Sequence, residues 1–239
     1  MRIHLFVPCL VDQFYPGVAV AMCRVLKKLG VEYAYLTDQT CCGQPAFNSG
    51  YHREATELAE RFLKVFEPAE TVVAPSGSCV SMVKIFYPQL ELSPAGKRTL
   101  ERLGPRLFEF SDFLVRELRV VDVGAQFRGK VTYHDSCHLL RELKIEEQPR
   151  QLIRNVHGLE FVEMDDMQTC CGFGGTFAVK FPEISTAMGT DKAAAIERTG
   201  ADAVVANDSS CLMQIAGILS RRKSRVVPMH LAELLAQGI

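Results

Sequence analysis

The sequence predicts an α/β protein built from two tandem, pseudo-symmetric βαβ modules with parallel sheets. Short apolar runs alternate with helical patterns, as is typical of parallel βαβ units with right-handed crossovers. The pentapeptide Gln-Thr-Cys-Cys-Gly at 39–43 recurs at 168–172, and a lone cysteine before it and a Ser-Cys pair after it recur in the same order. Ordered self-similarity of this kind indicates an internal duplication. We therefore expect modules over residues 1–124 and 125–239.

The first module shows the pattern of a strand followed by a helix, repeated along the chain. We expect strands at 2–8, 31–36 and 71–75, and helices at 17–29, at 52–66 and from Cys79 onward. Gly30 follows the first helical pattern and suits the left-handed position after a helix end. The loop at 37–50 carries the Cys-Cys-Gly motif, so this loop joins the second strand to the second long helix.

The second module repeats the pattern. We expect strands at 130–135, 159–164 and 203–207, helices at 148–156, 182–199 and 211–221, and a cysteine loop at 169–175. Each module then ends in a short strand and a last helix, at 108–114 and at 227–234. The first module carries an extra stretch around 88–106, which has no counterpart in the second.

The composition is that of an ordinary globular protein, with 48% apolar residues, 23% charged residues and a formal net charge of −1. Because there is no basic excess and no Lys/Arg-rich run, we expect no nucleic-acid partner. The apolar run at the N-terminus is too short for a signal peptide, and no apolar stretch is long enough to span a bilayer. We therefore expect a cytoplasmic protein without a membrane-spanning segment.

Cysteine is the unusual feature of the composition, with nine residues in a chain that shows no export signal. A reducing compartment argues against a disulfide framework and favours metal binding or thiol chemistry. Cys23 lies in an apolar helical pattern without a repeat counterpart, so we interpret it as a buried structural residue. The other eight occupy matched positions of the repeat: Cys9, Cys41, Cys42 and Cys79 in the first module, and Cys137, Cys170, Cys171 and Cys211 in the second.

The matched cysteines are placed where strands end and loops or helices begin, that is, at the C-terminal strand edges. Ligands of open parallel sheets bind at that edge, so four cysteines of each module can meet there. Cys79 and Cys211 are expected at helix starts, where unpaired N–H groups favour a thiolate. Gly43 and Gly172 permit a left-handed turn beside the adjacent cysteines.

Four thiolates per module satisfy either an iron–sulfur cluster or a closed zinc site. Zinc sites usually gather cysteines in pairs separated by a few residues, and adjacent cysteines are awkward ligands for one tetrahedral ion. A cluster has several irons, which neighbouring cysteines can bind separately. The pattern favours an iron–sulfur cluster, with zinc or metal-free thiols as the alternatives.

The order of a lone Cys, a Cys-Cys-Gly and a later Cys, present twice, resembles the cysteine-rich CCG-domain family over essentially the whole chain. That family includes the B subunit of heterodisulfide reductase and the iron–sulfur subunits of glycolate oxidase and anaerobic glycerol-3-phosphate dehydrogenase. Within it, the short two-module members that serve lactate utilisation are the most similar. The supporting segments are Pro75–Cys79, Tyr133–Leu139 and Cys170–Gly175.

One departure from the family pattern concerns its last motif, Cys-x-x-Cys. This chain has Ser76 and Asp208 in place of the first cysteine of that motif. Four rather than five cysteines per module imply an ordinary [4Fe-4S] cluster, up to one in each module. Asp208 is then a candidate oxygen ligand in the second module.

The resemblance implies an iron–sulfur electron-transfer component of an L-lactate oxidation complex, an oxidoreductase subunit that is not active alone. Its implied partners are the other subunits, including a ferredoxin-like iron–sulfur protein. The alternatives are the equivalent subunit of a glycolate oxidase, a glycerol-3-phosphate dehydrogenase or a heterodisulfide reductase-like complex. A zinc-stabilised, non-redox interaction module is the alternative from another class.

Three polar residues of the second module are candidates for chemistry: His134, His138 and Asp208. The two histidines flank Cys137 and have no counterparts around Cys9. They are candidate donors to cluster sulfur, proton carriers or direct ligands, and a role as hydrogen-bonded loop residues is equally compatible. We interpret Lys180 and the Asp191-Lys192 pair as a solvated helix face.

Overall fold

Residues 2–239, which a computed structural model describes, contain eight strands in two four-stranded sheets. Both sheets are parallel throughout and have the same strand order, β2-β1-β3-β4 and β6-β5-β7-β8. The predicted α/β class with two pseudo-symmetric parallel modules is therefore confirmed. The strands are β1 Arg2–Leu5, β2 Glu32–Tyr35, β3 Val72–Ala74, β4 Leu107–Glu109, β5 Gln126–Tyr133, β6 His157–Phe161, β7 Ala203–Ala206 and β8 Val227–His230.

Helices connect the strands of each sheet. In the first module they are α1 Cys9–Phe14, α2 Pro16–Lys28, α3 Gln44–Asn48, α4 His52–Val65, α5 Gly77–Ser81, α6 Pro94–Leu103 and α7 Phe110–Asp112. In the second they are α8 Cys137–Arg141, α9 Glu147–Arg154, α10 Phe177–Lys180, α11 Pro182–Arg198, α12 Ser209–Arg221 and α13 Leu231–Leu235. Between residues 2 and 239, none of the helices combines the length and the apolar character needed to cross a membrane.

The long helices α2, α4, α11 and α12 lie almost where the sequence predicts them. The first strand of the second module differs, because β5 begins at Gln126 and ends at Tyr133, earlier than expected at both ends. Short helices that the sequence analysis did not predict follow the strand ends, among them α1 and α8. The extra stretch of the first module forms α6 and packs against α4.

Two central strands, β3 and β7, are apolar along their whole length, as is typical of strands in parallel sheets covered on both faces. β3 reads Val-Val-Ala and β7 reads Ala-Val-Val-Ala, and every one of these residues is buried. Helix α2 of the first module packs against α13 of the second, and buried residues of both, including Val18 and Leu231, belong to one apolar core. Since this core includes residues from both sides of 124, the domain boundary at that position stays a prediction.

Candidate functional site

The eight cysteines of the repeat line one cavity of about 340 Å³. Each set follows the carboxyl ends of its own strands, as the sequence predicts for parallel sheets. All eight are free thiols, and Cys42, Cys79, Cys171 and Cys211 are buried, whereas the other four are partly exposed. The duplication therefore places two sets of four thiols around a shared space. The ninth cysteine, Cys23, lies outside the cavity on α2 and packs against the central core.

The first set forms a chain of hydrogen-bonded thiols in the order Cys9, Cys41, Cys42 and Cys79. Cys41 accepts hydrogen bonds from Cys42 and Cys9, which lower its pKa to about 3. The thiols of Cys9 and Cys42 act as the donors, and this hydrogen bonding together with burial raises their pKa. The negative charge of a thiolate is therefore concentrated on Cys41.

The second set repeats this arrangement in the order Cys137, Cys170, Cys171 and Cys211. Hydrogen bonds from Cys137 and Cys171 lower the pKa of Cys170 to about 2. Hydrogen bonding to Cys171 also lowers the pKa of Cys211, to about 6, and His134 contributes in the same direction. The second set thus contains two cysteines that favour the thiolate.

The Cys-Cys-Gly turn presents a backbone donor to each thiolate. The N–H of Gly43 lies 3.4 Å from Sγ of Cys41, and the N–H of Gly172 lies 3.4 Å from Sγ of Cys170. Both glycines are left-handed, with φ of 85° and 86°, as the sequence predicts. A side chain at either position is disfavoured because L-residues rarely adopt this conformation.

Helix starts contribute the remaining cysteines. Cys9 and Cys137 are the first residues of α1 and α8, and Cys79 and Cys211 lie in the first turns of α5 and α12. Four free thiols, each next to another along a chain and beside N–H donors, match the ligands of an iron–sulfur cluster. The residues of both modules therefore fit that cofactor, with Cys9, Cys41, Cys42 and Cys79 as one ligand set and Cys137, Cys170, Cys171 and Cys211 as the other.

His134 is the candidate that lies deepest in the second set. Its side chain is 1% exposed, and neither ring nitrogen has a hydrogen-bond partner among residues 2–239. A ring nitrogen of His134 and the Sγ atoms of Cys171 and Cys211 lie within 4.8 Å of one another. Because buried polar atoms normally have partners, this imidazole is suited to a donor or ligand role toward whatever the cysteines hold.

His138 lines the cavity from α8, next to Cys137. Its ring packs edge-on against Phe86, with centroids 6.0 Å apart. Nδ1 lies 3.8 Å from Oε2 of Glu142, which is too long for a hydrogen bond. His138 is therefore a partly exposed wall residue, and its role in chemistry stays a prediction.

Asp208 faces the other module. Its Oδ1 accepts hydrogen bonds from Oγ of Ser76 and Oγ of Ser78, both at 2.8 Å, and from the N–H of Ser78 at 3.1 Å. The carboxylate of the second module thus caps helix α5 of the first. A role for Asp208 as a metal ligand stays a prediction, and the contacts of the carboxylate are those of a clamp between modules.

The prediction of a solvated helix face is wrong for Lys192. Lys180 and Asp191 are exposed, but Lys192 is 1% exposed. Its Nζ donates to the carbonyl oxygens of Asp166 at 2.8 Å and Met167 at 3.1 Å, in the loop that leads to Cys170 and Cys171. The lysine is buried because α11 turns this side toward the cysteine loop, whose carbonyl groups need donors.

Two residues of the first module, neither of them predicted from the sequence as a site residue, position its cysteine loop. Gln39 Nε2 donates to the carbonyl of Leu5 at 3.1 Å, and its Oε1 accepts from the N–H of Val7 at 2.6 Å. Tyr87 donates its hydroxyl to the carbonyl of Cys42 at 2.9 Å. The recurrence of Gln39 in the repeated pentapeptide was a sequence signal for its role, whereas Tyr87 lies outside every motif and has no such signal.

Arg150 is a further residue that the sequence analysis did not select. It is 3% exposed and makes a bidentate contact with Asp135, at 2.9 and 2.7 Å. Its Nε also donates to Glu163 at 2.6 Å, and its guanidinium lies 5.2 Å from the ring centroid of Tyr133. This ion pair holds the short segment that joins the end of β5 to Cys137.

Known bacterial proteins are similar to this chain over nearly its whole length. A protein of Bacillus pumilus (strain SAFR-032) is 45% identical over 236 residues, covering 98% of this chain and 99% of that protein. A protein of Bacillus subtilis (strain 168) is 41% identical over 235 residues, with coverage of 98% and 99%. Both are called Lactate utilization protein A.

The fold has a relative among solved structures, a hypothetical protein from Helicobacter pylori. Its TM-score is 0.66 at 10% identity, and the match covers 100% of this chain and 49% of that one, so the likeness concerns the fold alone. The model of the CCG family, described as a cysteine-rich domain, matches residues 3–84 and 131–216. The resemblance stated from the sequence is confirmed, and the chain belongs to the CCG family of cysteine-rich domains, of which it carries two copies.

Proposed function

We propose that this chain is the iron–sulfur electron-transfer component of an L-lactate oxidation complex. The observation that carries the proposal is the meeting of two sets of four thiols around one cavity. The relatives that match over nearly their whole length are called Lactate utilization protein A, which supports lactate as the substrate of the system. The first observation supports a metal-binding redox role, and the second supports lactate oxidation as the pathway.

The cysteines of each module would hold one [4Fe-4S] cluster. A bound cluster takes up and releases one electron at a time. The N–H groups of Gly43 and Gly172 stabilise the thiolate charge beside them. Oxidation of lactate to the 2-oxo acid releases two electrons and two protons, so two one-electron sites correspond to one substrate molecule.

The chain is proposed to act with other subunits rather than alone. The sequence has no Gly-x-Gly-x-x-Gly motif after a strand, so substrate dehydrogenation through a nicotinamide or flavin is assigned to a partner. Cys9, Cys41, Cys137 and Cys170 are partly exposed, which lets a ferredoxin-like iron–sulfur partner approach the thiols. We place this assembly in the cytoplasm, where free thiols persist.

The cofactor is tested on protein purified and reconstituted without oxygen. We expect iron and acid-labile sulfide in equal amounts and EPR signals from both modules after reduction. Cys42→Ser and Cys171→Ser should each remove one signal, whereas Cys23→Ser, at the cysteine outside the cavity, should remove none. A colourless protein with one zinc per module and without iron or sulfide would instead establish the zinc-stabilised interaction module.

The pathway is tested by growth after deletion of the gene in its bacterium of origin. We expect loss of growth on L-lactate, restored by the wild-type gene and by Cys23→Ser but not by Cys171→Ser. Growth on glycolate and on glycerol-3-phosphate should be unchanged. Normal growth on lactate with a defect on glycolate would assign the chain to a glycolate-oxidising complex.

A further inference from the structure

The two modules differ at a position directly beside the cysteines. Leu5 pairs with Val73 and Tyr133 pairs with Val205, so the next residues, Phe6 and His134, are equivalent. The backbone confirms this equivalence, because Phe6 donates to the carbonyl of Val73 at 2.9 Å and His134 donates to that of Val205 at 2.8 Å. An apolar ring in the first module is thus replaced by an imidazole in the second.

A second difference lies on the helix that packs behind the Cys-Cys-Gly turn. A Cβ at Gly43 would lie 3.4 Å from the carbonyl of Ala55, and a Cβ at Gly172 would lie 2.5 Å from that of Ser185. Ala55 and Ser185 are therefore equivalent points on α4 and α11. Two helical turns farther along these helices are Phe62 and Lys192, so a buried cation replaces a second aromatic ring.

The surroundings of the two thiol sets consequently differ in charge. In the first module, Phe6 and Phe62 are buried and pack edge-to-face with ring centroids 4.9 Å apart. In the second module, a ring nitrogen of His134 lies near Sγ of Cys171 and Cys211. The ammonium group of Lys192 is buried behind the loop that leads to Cys170 and Cys171. The aromatic pair supplies neither a strong donor nor a charge, whereas the His/Lys pair supplies both.

His134 and Lys192 act on an electron carrier in the same direction, against the negative charge of Asp208, whose carboxylate is held by donors of Ser76 and Ser78. A neutral imidazole carries one N–H, and a ring nitrogen of His134 lies within 4.8 Å of two Sγ atoms, so the tautomer protonated at that nitrogen directs a donor at sulfur. Hydrogen bonds to sulfur and nearby positive charge stabilise the more negative, reduced state of a cluster and raise its potential. Lys192 acts over a longer distance, since its Nζ is held by the carbonyls of Asp166 and Met167.

We propose that His134 and Lys192 make the cluster of the second module the more readily reduced of the two. Transfer between the modules then oxidises the first cluster and reduces the second by one electron, without bond or proton changes. The inference rests on the proposed function, because it requires a cluster in each module. His134 is a tuning residue in this scheme.

The test measures midpoint potentials by EPR-monitored redox titration of the full-length chain. Cys42→Ser and Cys171→Ser leave the second and the first cluster, respectively, so each potential is measured separately. We expect the second cluster to have the higher potential. In the Cys42→Ser protein, His134→Phe should lower the ratio of reduced to oxidised second cluster about tenfold at a fixed potential. A tenfold change corresponds to 59 mV for a one-electron couple.

Three further variants separate tuning from a merely structural role. His134→Gln keeps an N–H donor, so the midpoint potential of the second cluster should stay close to the wild-type value. Lys192→Met should lower the potential of the second cluster without affecting the first, and Phe6→His should raise that of the first. If His134→Phe does not assemble a second cluster, the inference is still tested by the order of the two potentials in the single-cluster proteins and by the potentials of His134→Gln and Phe6→His.

Two results would overturn the inference, and they differ in meaning. If both clusters are present and the first has an equal or higher potential, or His134→Phe leaves the second unchanged, the inference fails and the proposed function stands. If neither module takes up iron and sulfide, the proposed function fails together with the inference.

Discussion

Oγ of Ser76 donates a 2.8 Å hydrogen bond to Oδ1 of Asp208, and both residues are buried where the modules meet. These are the two positions at which the CCG pattern has the first cysteine of Cys-x-x-Cys. In this chain they join the modules to each other. The N–H of Cys79 donates to the same Ser76 oxygen at 3.3 Å, so the clamp also fixes a cysteine.

The clamp predicts strong coupling between Ser76 and Asp208. Asp208→Ala leaves three donors, one of buried Ser76 and two of half-buried Ser78, without this acceptor and should lower the free energy of unfolding by about 3 kcal/mol. In a urea-unfolding double-mutant cycle, Ser76→Ala and Asp208→Ala should be non-additive by about 1–2 kcal/mol. Asp191→Ala, at an exposed aspartate, is the control and should have little effect. Additive losses would show that the two residues act independently.

Sequence reasoning identifies the elements whose signal is local. The repeated cysteines, the Gly turns and the long helices were predictable, because a motif or a helical period marks each of them. The Ser76–Asp208 contact was not, since it joins residues of different modules and depends on how the two sheets pack together. The burial of Lys192 was not predictable either, because its partners, the carbonyls of Asp166 and Met167, are backbone groups that no sequence pattern displays.

Glu109 predicts a pH dependence of stability. The carboxyl is fully buried, accepts from Nδ2 of Asn207 at 2.9 Å and from the N–H of Ser111 at 2.8 Å, and burial raises its pKa from 4.5 to about 7. Below pH 4.5 both the folded and the unfolded chain carry the proton. Between 4.5 and 7 only the unfolded chain releases it, so stability falls as pH rises, by about 3 kcal/mol in total.

The variant that isolates this effect is Glu109→Gln, which cannot ionise. The free energy of unfolding should be measured by urea titration at several pH values from 4.5 to 8 for both proteins. The difference between wild type and variant should move in favour of the variant as pH rises, and level off above 7. A pH-independent difference would mean that Glu109 ionises in the folded chain as it does in the unfolded one.

The glycines with positive φ predict a graded series. Gly172→Ala places Cβ 2.5 Å from the carbonyl of Ser185, and Gly43→Ala places it 3.3 Å from Leu58. Gly200→Ala meets no atom of the described part of the chain within 4 Å. The left-handed backbone costs each alanine about 1 kcal/mol. The clash should add to this at Gly172, so stability losses should fall in the order Gly172, Gly43, Gly200.

The same series tests the cofactor site, because the N–H of Gly172 contacts Sγ of Cys170. Iron content after anaerobic reconstitution should fall for Gly172→Ala and stay at the wild-type value for Gly200→Ala, whose backbone has a similar strain but lies away from the cysteines. Equal iron content in the two variants would remove the Gly turn from the ligand site.

The buried ion pair of Arg150 gives the last prediction. Its guanidinium is bonded to both oxygens of Asp135, and both side chains are almost completely buried. Arg150→Met leaves the carboxylate of Asp135 unpaired and should lower the free energy of unfolding by about 3–5 kcal/mol. Removing the charge as well, in Arg150→Met with Asp135→Asn, should recover part of that loss.

Arg154 offers the matched control for this ion pair. It lies on the same helix and pairs with Glu147 at 3.2 Å, but its side chain is 49% exposed. Arg154→Met should therefore change the free energy of unfolding by less than about 1 kcal/mol, because solvent screens an exposed pair. If Arg150→Met were as mild as Arg154→Met in the same urea titrations, water would have to reach Asp135. The strand end before Cys137 would then be less rigid than its contacts imply.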